Sequence, residues 1–151
     1  MKIHVPELLR RYSISCCVED GCIEYFLTDR ITHEDISYEL FLSLNLFSGQ
    51  IHVSKFYPEI YKQPGAQYLS AACFYLMIQH FARIFHLPGD FPIFLQTQIS
   101  VFHNFYARLK DFDFHICRIH PGDNVDLCSR YFPGSVDTTM ITQRPVSVWD
   151  E

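Results

Sequence analysis

Charge is scarce in this chain: only 19% of its 151 residues are Asp, Glu, Lys or Arg. Twelve basic residues face seventeen acidic ones, for a net charge of −5. The basic residues are scattered, so no stripe exists to neutralise phosphates. That argues against nucleic acid and anionic membranes as general partners. Glycine is scarce as well, with six residues. None of them builds a Walker loop, a Gly-x-Ser-x-Gly elbow or a Gly-x-Gly-x-x-Gly fingerprint. Repeats, low-complexity stretches and linkers are absent, so residues 1–151 read as a single domain. Long apolar runs are missing too. Residues 68–87 come nearest, but Gln79, His80, Arg83 and His86 interrupt them. A buried helix fits that stretch better than a membrane span.

What is present is apolar and aromatic. The hydrophobic fraction of 48% excludes disorder. At this length folding buries about 68–70% of the unfolded chain's surface, so a core needs no staples. Fourteen Phe and nine Tyr stand against one Trp. Such an aromatic supply would permit a homodimer face.

Six cysteines lie at positions 16, 17, 22, 73, 117 and 128. An even number would allow three disulfides. The opening Met1-Lys2-Ile3-His4-Val5-Pro6-Glu7 has no apolar signal region, so reduced cysteines in a cytoplasmic protein are expected. His115, Cys117, His120 and Cys128 have a spacing that can hold zinc. They lack a Cys-x-x-Cys pair, and buried free cysteines with no metal are the expectation. Asp123-Asn124-Val125-Asp126 does not have calcium-loop spacing.

Periodicity orders the elements. Residues 12–18 alternate, Asp20-Gly21 makes a hairpin turn, and residues 22–27 return. Residues 36–46 alternate again. Ser48-Gly49 turns into a fourth strand over 50–57, with Ile51, Val53 and Lys55 on one face and His52, Ser54 and Phe56 on the other. The spacing then changes to predict a long helix over 66–87, with Gln79, Arg83 and His86 as a narrow wet stripe. Pro88-Gly89 ends it. A strand over 91–98, a short helix over 102–110, a strand over 112–119 and a late strand over 136–143 follow. Residues 125–135 carry no clear period. The strand–helix–strand crossover requires a parallel pair inside a mixed sheet. The expected class is α+β: a mixed, mostly antiparallel sheet with a long central helix and a shorter one.

That order, with the residues at two joints, resembles the GNAT superfamily of acyl-CoA N-acyltransferases. The first joint is Lys62-Gln63-Pro64-Gly65-Ala66-Gln67-Tyr68-Leu69, between the fourth strand and the long helix. The family carries Arg/Gln-x-x-Gly-x-Gly/Ala there. Lys62 stands for the Arg or Gln, Gly65 fits the first glycine, Gln67 replaces the second small residue, and Pro64 removes one backbone N–H. The second joint is Phe105-Tyr106 followed by Lys110-Asp111-Phe112, where the family has Phe-Tyr and then Gly-Phe.

The resemblance implies acetyl-CoA or another acyl-CoA as cofactor and an amine, small molecule or peptide, as acceptor. It implies backbone amides of Gly65, Ala66, Gln67 and Tyr68 on the pyrophosphate, with charge from Lys62. The strand edge around Ser54 and Phe56 would meet the pantetheine arm. Tyr106 would protonate the leaving thiolate. Glu39 and His52 are candidate bases for the amine. Each has a plainer reading: a helix start, a packed tyrosine, a solvated glutamate, a half-buried histidine. The alternative function is a non-catalytic module of the same fold, binding a small ligand or a second copy of itself.

Overall fold

The computed structural model describes residues 10, 12–19, 21–33, 41–47, 50–57, 67–87, 90–95, 107–121, 125–130 and 140–144. Alternation of apolar and polar side chains drives the first two strands. In β1 (Tyr12–Glu19) Ile14 and Cys16 are buried; in β2 (Cys22–Asp29) Ile23, Tyr25 and Leu27 are. The two strands pair antiparallel from Tyr12↔Asp29 to Glu19↔Cys22. Gly21 closes this hairpin at φ +67°, a conformation glycine adopts without steric cost. At the far end of β2, Asp29 Oδ1 accepts hydrogen bonds from the amides of Ile31 at 2.8 Å and Thr32 at 3.3 Å.

The meander continues through β3 (Phe41–Phe47) and β4 (Gln50–Tyr57), both antiparallel to their predecessors. A helix, α1 (Gln67–Ile84), then crosses over to β5 (Asp90–Leu95), which pairs parallel with β4. The chain returns through a 3₁₀ turn (Lys110–Phe112), β6 (His115–Ile119) and β7 (Val125–Arg130). A two-residue strand, β8 (Thr142–Gln143), joins the opposite edge parallel to β1. The eight strands form one mixed sheet in the order β6-β7-β5-β4-β3-β2-β1-β8. Arg144 secures β8: its Nε donates to Ser15 Oγ at 2.7 Å, and its guanidinium lies 4.0 Å above the Phe26 ring.

Several expected boundaries move. The strand expected over 112–119 starts at His115, because Phe112 closes the 3₁₀ turn and Asp113 is left-handed at φ 61°. Residues 125–130 form β7, which periodicity alone leaves unassigned. Its inward positions are Val125, Leu127 and Ser129, so the third is polar and the apolar pattern is short. The helix is shorter than 66–87. The amides of His86 and Leu87 donate back to the carbonyls of Arg83 and Ala82, with His86 at φ 52°. This left-handed cap stops the helix before Pro88.

Residues 71–82 of α1 are all buried. One sheet face receives the helix, through Ile14, Ile23, Ile51, Val53, Ile93, Leu95, Val125 and Leu127. Aromatic pairs Phe74–Phe114 at 5.3 Å and Tyr75–Phe112 at 5.5 Å join it to the second half of the chain. The expected wet stripe is therefore wrong at Gln79, which is fully buried.

His80 is buried as well, and it meets Tyr25 with an Nδ1 to hydroxyl distance of 2.8 Å. Burial lifts the Tyr25 hydroxyl well above the usual phenol range, so it stays protonated and donates. Burial, helped by the nearby Arg83 cation, lowers His80 from 6.5 to about 4. The unfolded chain binds a proton at this histidine below about pH 6.5 and the folded chain does not. Stability is thus expected to fall between pH 6.5 and 4 by about 3 kcal/mol and to level off below. Urea midpoints across that window should show the loss, and His80→Leu should flatten it. A parent whose slope matches that of the variant would rule the histidine out.

Candidate functional site

The centre of the sheet contains an irregularity that follows from one extra residue. From Phe41↔Tyr57 to Ser43↔Lys55 the β3–β4 register is regular, and it resumes at Leu44↔Val53. Ser54 is the residue left over, a β-bulge on β4. A bulge bends its strand and increases the local twist. On the other side of β4, pairing with β5 covers Ile51↔Ile93, His52↔Phe94 and Val53↔Leu95. The described part of β5 ends at Leu95, opposite the residue before the bulge.

Beyond the bulge Lys55 pairs with Ser43 and Phe56 with Leu42; the faces expected for Ser54, Lys55 and Phe56 lie outside the described side chains. Three other features share this end of the sheet. The chain leaves β4 here towards the start of α1, so the positive end of the helix dipole belongs to this side. Leu95, the end of β5, pairs with Val125, the first residue of β7. His120, which follows β6, stands at this end as well. The carboxyl end of a parallel pair is where α/β sheets usually bind ligands.

On the sheet face opposite α1, His52, Phe94 and Asp126 occupy one cross-strand row. The Phe94 ring lies 5.6 Å from His52 and 5.5 Å from His120, centroid to centroid. His120 Nε2 is 3.0 Å from Asp126 Oδ2, with both side chains about three-quarters covered. The approach is off line for a hydrogen bond, and Asp126 Oδ1 is buried without a partner. The two side chains thus approach closely without a directed hydrogen bond.

Both members lie inside a covalent ring. Cys117 and Cys128 are joined in a disulfide with Cα atoms 6.1 Å apart. The register explains how they meet. Cys117 is the extra residue of β6, between Ile116↔Leu127 and Arg118↔Asp126, and Cys128 stands opposite His115. The expectation of six reduced cysteines is corrected for these two, because a bulge invisible in the spacing brings the sulfurs together. The zinc set loses both sulfurs to the bond, and His115 is exposed. The other four cysteines carry no disulfide, and burial raises the thiols of Cys16 and Cys73.

Of the residues singled out in the sequence, His52 is half-buried against Phe94 at this site. Ser54 and Phe56 lie on β4, and Gln67 and Tyr68 open α1; their backbone alone is described. Glu39, Lys62, Gly65, Ala66 and Tyr106 lie outside the described residues. His120 and Asp126 escaped the sequence reading as a pair. His120 stood there only as a zinc candidate and Asp126 only in a calcium-loop test, because β7 was not recognised as a strand.

No protein-family model and no curated protein matches the chain. A search of solved structures finds a similarity to a PaiA N-acetyltransferase from Thermoplasma acidophilum in complex with coenzyme A. The identity is 12% and the TM-score 0.49, over 74% of this chain and 62% of that one. This chain thus spans less than two-thirds of that structure's length. No helix among the described residues is long and apolar enough to cross a membrane.

The 11-residue separation of the bonded cysteines sets the stability they contribute. Cys117→Ser is expected to cost about 3 kcal/mol, read as a lower urea midpoint. A parent whose midpoint is unmoved by strong reductant and equals that of the variant would mean the sulfurs are not joined.

Proposed function

We propose that this chain is a GNAT-like N-acyltransferase that takes an acyl group, acetyl in the simplest case, from acyl-CoA to an amine. One observation carries the reading: an antiparallel meander whose fourth strand bulges at Ser54 is followed by a crossover helix into a strand parallel to it. In the family that the sequence resembles, a V-shaped gap between these two strands admits the thioester arm. In this reading the main chain of Ser54–Tyr57 meets an extended arm of that kind.

The division of labour follows from the residues. Acyl-CoA supplies an activated thioester carbonyl. Amides at Ser54 and its neighbours polarise that carbonyl and stabilise the oxyanion formed when the amine adds. Amides of Gly65, Ala66, Gln67 and Tyr68, with Lys62, hold the pyrophosphate. Tyr106 returns a proton to the departing thiolate, and His52 or Glu39 prepares the amine.

Two residues favour the second reading, a non-catalytic module. Pro64 removes a donor from the loop, and Gln67 adds a side chain where a small residue suits a phosphate. A loop closed in this way would leave the same fold to bind a small ligand or pair with itself.

Thermal denaturation separates the two. Acetyl-CoA at a hundred times its Kd should stabilise the chain by ~2.7 kcal/mol, and Gly65→Glu should abolish that gain without unfolding the protein. No change in Tm at millimolar acetyl-CoA would leave the module reading in possession. An equal rise in parent and variant would take the loop out of the account.

A further inference from the structure

We propose that the Cys117–Cys128 bond is a redox latch: a thiol from solvent opens it in the folded protein, β6 comes away from β7, and the core stays intact. The latch is independent of the acyl-transfer reading.

Access is the first argument. Val125, Leu127 and Ser129 are the buried positions of β7, so Cys128 belongs to the sheet face opposite α1. Its cross-strand row holds Pro92 of β5 and His115 of β6, both exposed. Cys128 is half-buried and Cys117 is exposed. A disulfide is opened by a thiolate that reaches one of its sulfurs, and exposed bonds are the ones that exchange. The other cysteines cannot supply that thiolate. Cys16, Cys17 and Cys22 lie on β1 and β2, and β5, β4 and β3 stand between those strands and β7. Four strand spacings of about 4.8 Å put even β2 beyond the reach of a side chain. Cys73 is fully buried in α1. The attacking thiol therefore comes from outside the chain.

Dependence is the second argument. Among the described strands β6 is the outermost on its side. Four of its five residues are exposed, and the fifth, Ile116, is only partly buried against the core. Little apolar area holds such a strand, so it belongs to the low-stability end of the fold. Its pairing with β7 is interrupted at Cys117. β7 is secured separately. It pairs with β5 from Asp90↔Arg130 to Leu95↔Val125, and Val125 and Leu127 are buried. The bond thus ties a weakly held strand to a firmly held one. β6 leads directly into His120, whose ring lies 5.5 Å from that of Phe94. Opening the latch frees His120 to leave both Phe94 and Asp126.

The exchange balances with a dithiol. One sulfur of the reagent attacks as thiolate and bonds to Cys117 Sγ. The S–S bond breaks, and its electron pair leaves on Cys128 Sγ, which takes a proton from water. The second sulfur of the reagent then displaces Cys117, which is protonated in turn, and the reagent departs as a cyclic disulfide. Two electrons pass from reagent to protein. Glutathione disulfide reverses the change through a mixed disulfide.

Thiol alkylation and amide hydrogen exchange on the whole chain test the latch, with dithiothreitol as the dithiol and no denaturant. Cys117 and Cys128 should be blocked before the reagent and alkylated after it, at least about 100-fold faster than Cys73, which reports opening of the core. Amides of β6 should then exchange at least about tenfold faster, while those of residues 71–82 keep their rates. Glutathione disulfide should restore the slow exchange. A variant carrying Cys117→Ala and Cys128→Ala should show fast β6 exchange throughout and ignore both reagents. Sulfurs that open only in step with Cys73 overturn the latch, as does β6 exchange unchanged by reduction. Two thiols still open to alkylation after glutathione disulfide overturn it as well.

Discussion

A single extra residue sits in a central strand of this sheet. Ser54 has no partner of its own on β3, so β4 must accommodate one residue more than its neighbour. Such a bulge bends its strand and sharpens the local twist. It stands one residue beyond Val53↔Leu95, the last of three described parallel rungs with β5, on the strand that leads to the crossover helix.

The bulge can be tolerated because the rest of the sheet is anchored elsewhere. α1 is covered on all sides along residues 71–82, so its packing fixes the helix face of five strands at once. A helix apolar around its whole circumference must be buried, and this one fills the space between the sheet and the aromatic group of Phe112 and Phe114. Its two polar intruders are handled differently from a wet stripe. Tyr25 satisfies His80 across the helix–sheet interface, which ties the helix to β2 by a directional bond within an otherwise non-directional core.

The legible part of this fold is the part set by side-chain period. The hairpin at Gly21, the meander, the crossover and the parallel pair all follow from alternation and its change at the helix. What was not legible came from events of a single residue. Extra residues at Ser54 and Cys117 leave no mark on composition, yet one bulges a central strand and the other brings a disulfide together. β7 escaped because Ser129 takes an inward position that alternation reserves for an apolar group. With β7 unassigned, Asp126 had no strand and His120 had no neighbour. His52 was legible as a candidate, but its place one residue from the last parallel rung was not. Residue type alone could not rank it against Glu39.

Two histidines in this chain meet opposite surroundings, and the contrast separates structure from chemistry. His80 has a protonated phenol on one nitrogen, the Arg83 cation nearby and almost no exposure. All three disfavour its charged form, and no path to water serves it. A group of this kind holds a helix in place and cannot cycle a proton at neutral pH. His120 has a carboxylate at 3.0 Å and keeps a quarter of its surface open. A general base must exist in both protonation states during each turnover, which requires a partner for the charge and a route for the proton. Buried apolar surroundings deny His80 both requirements.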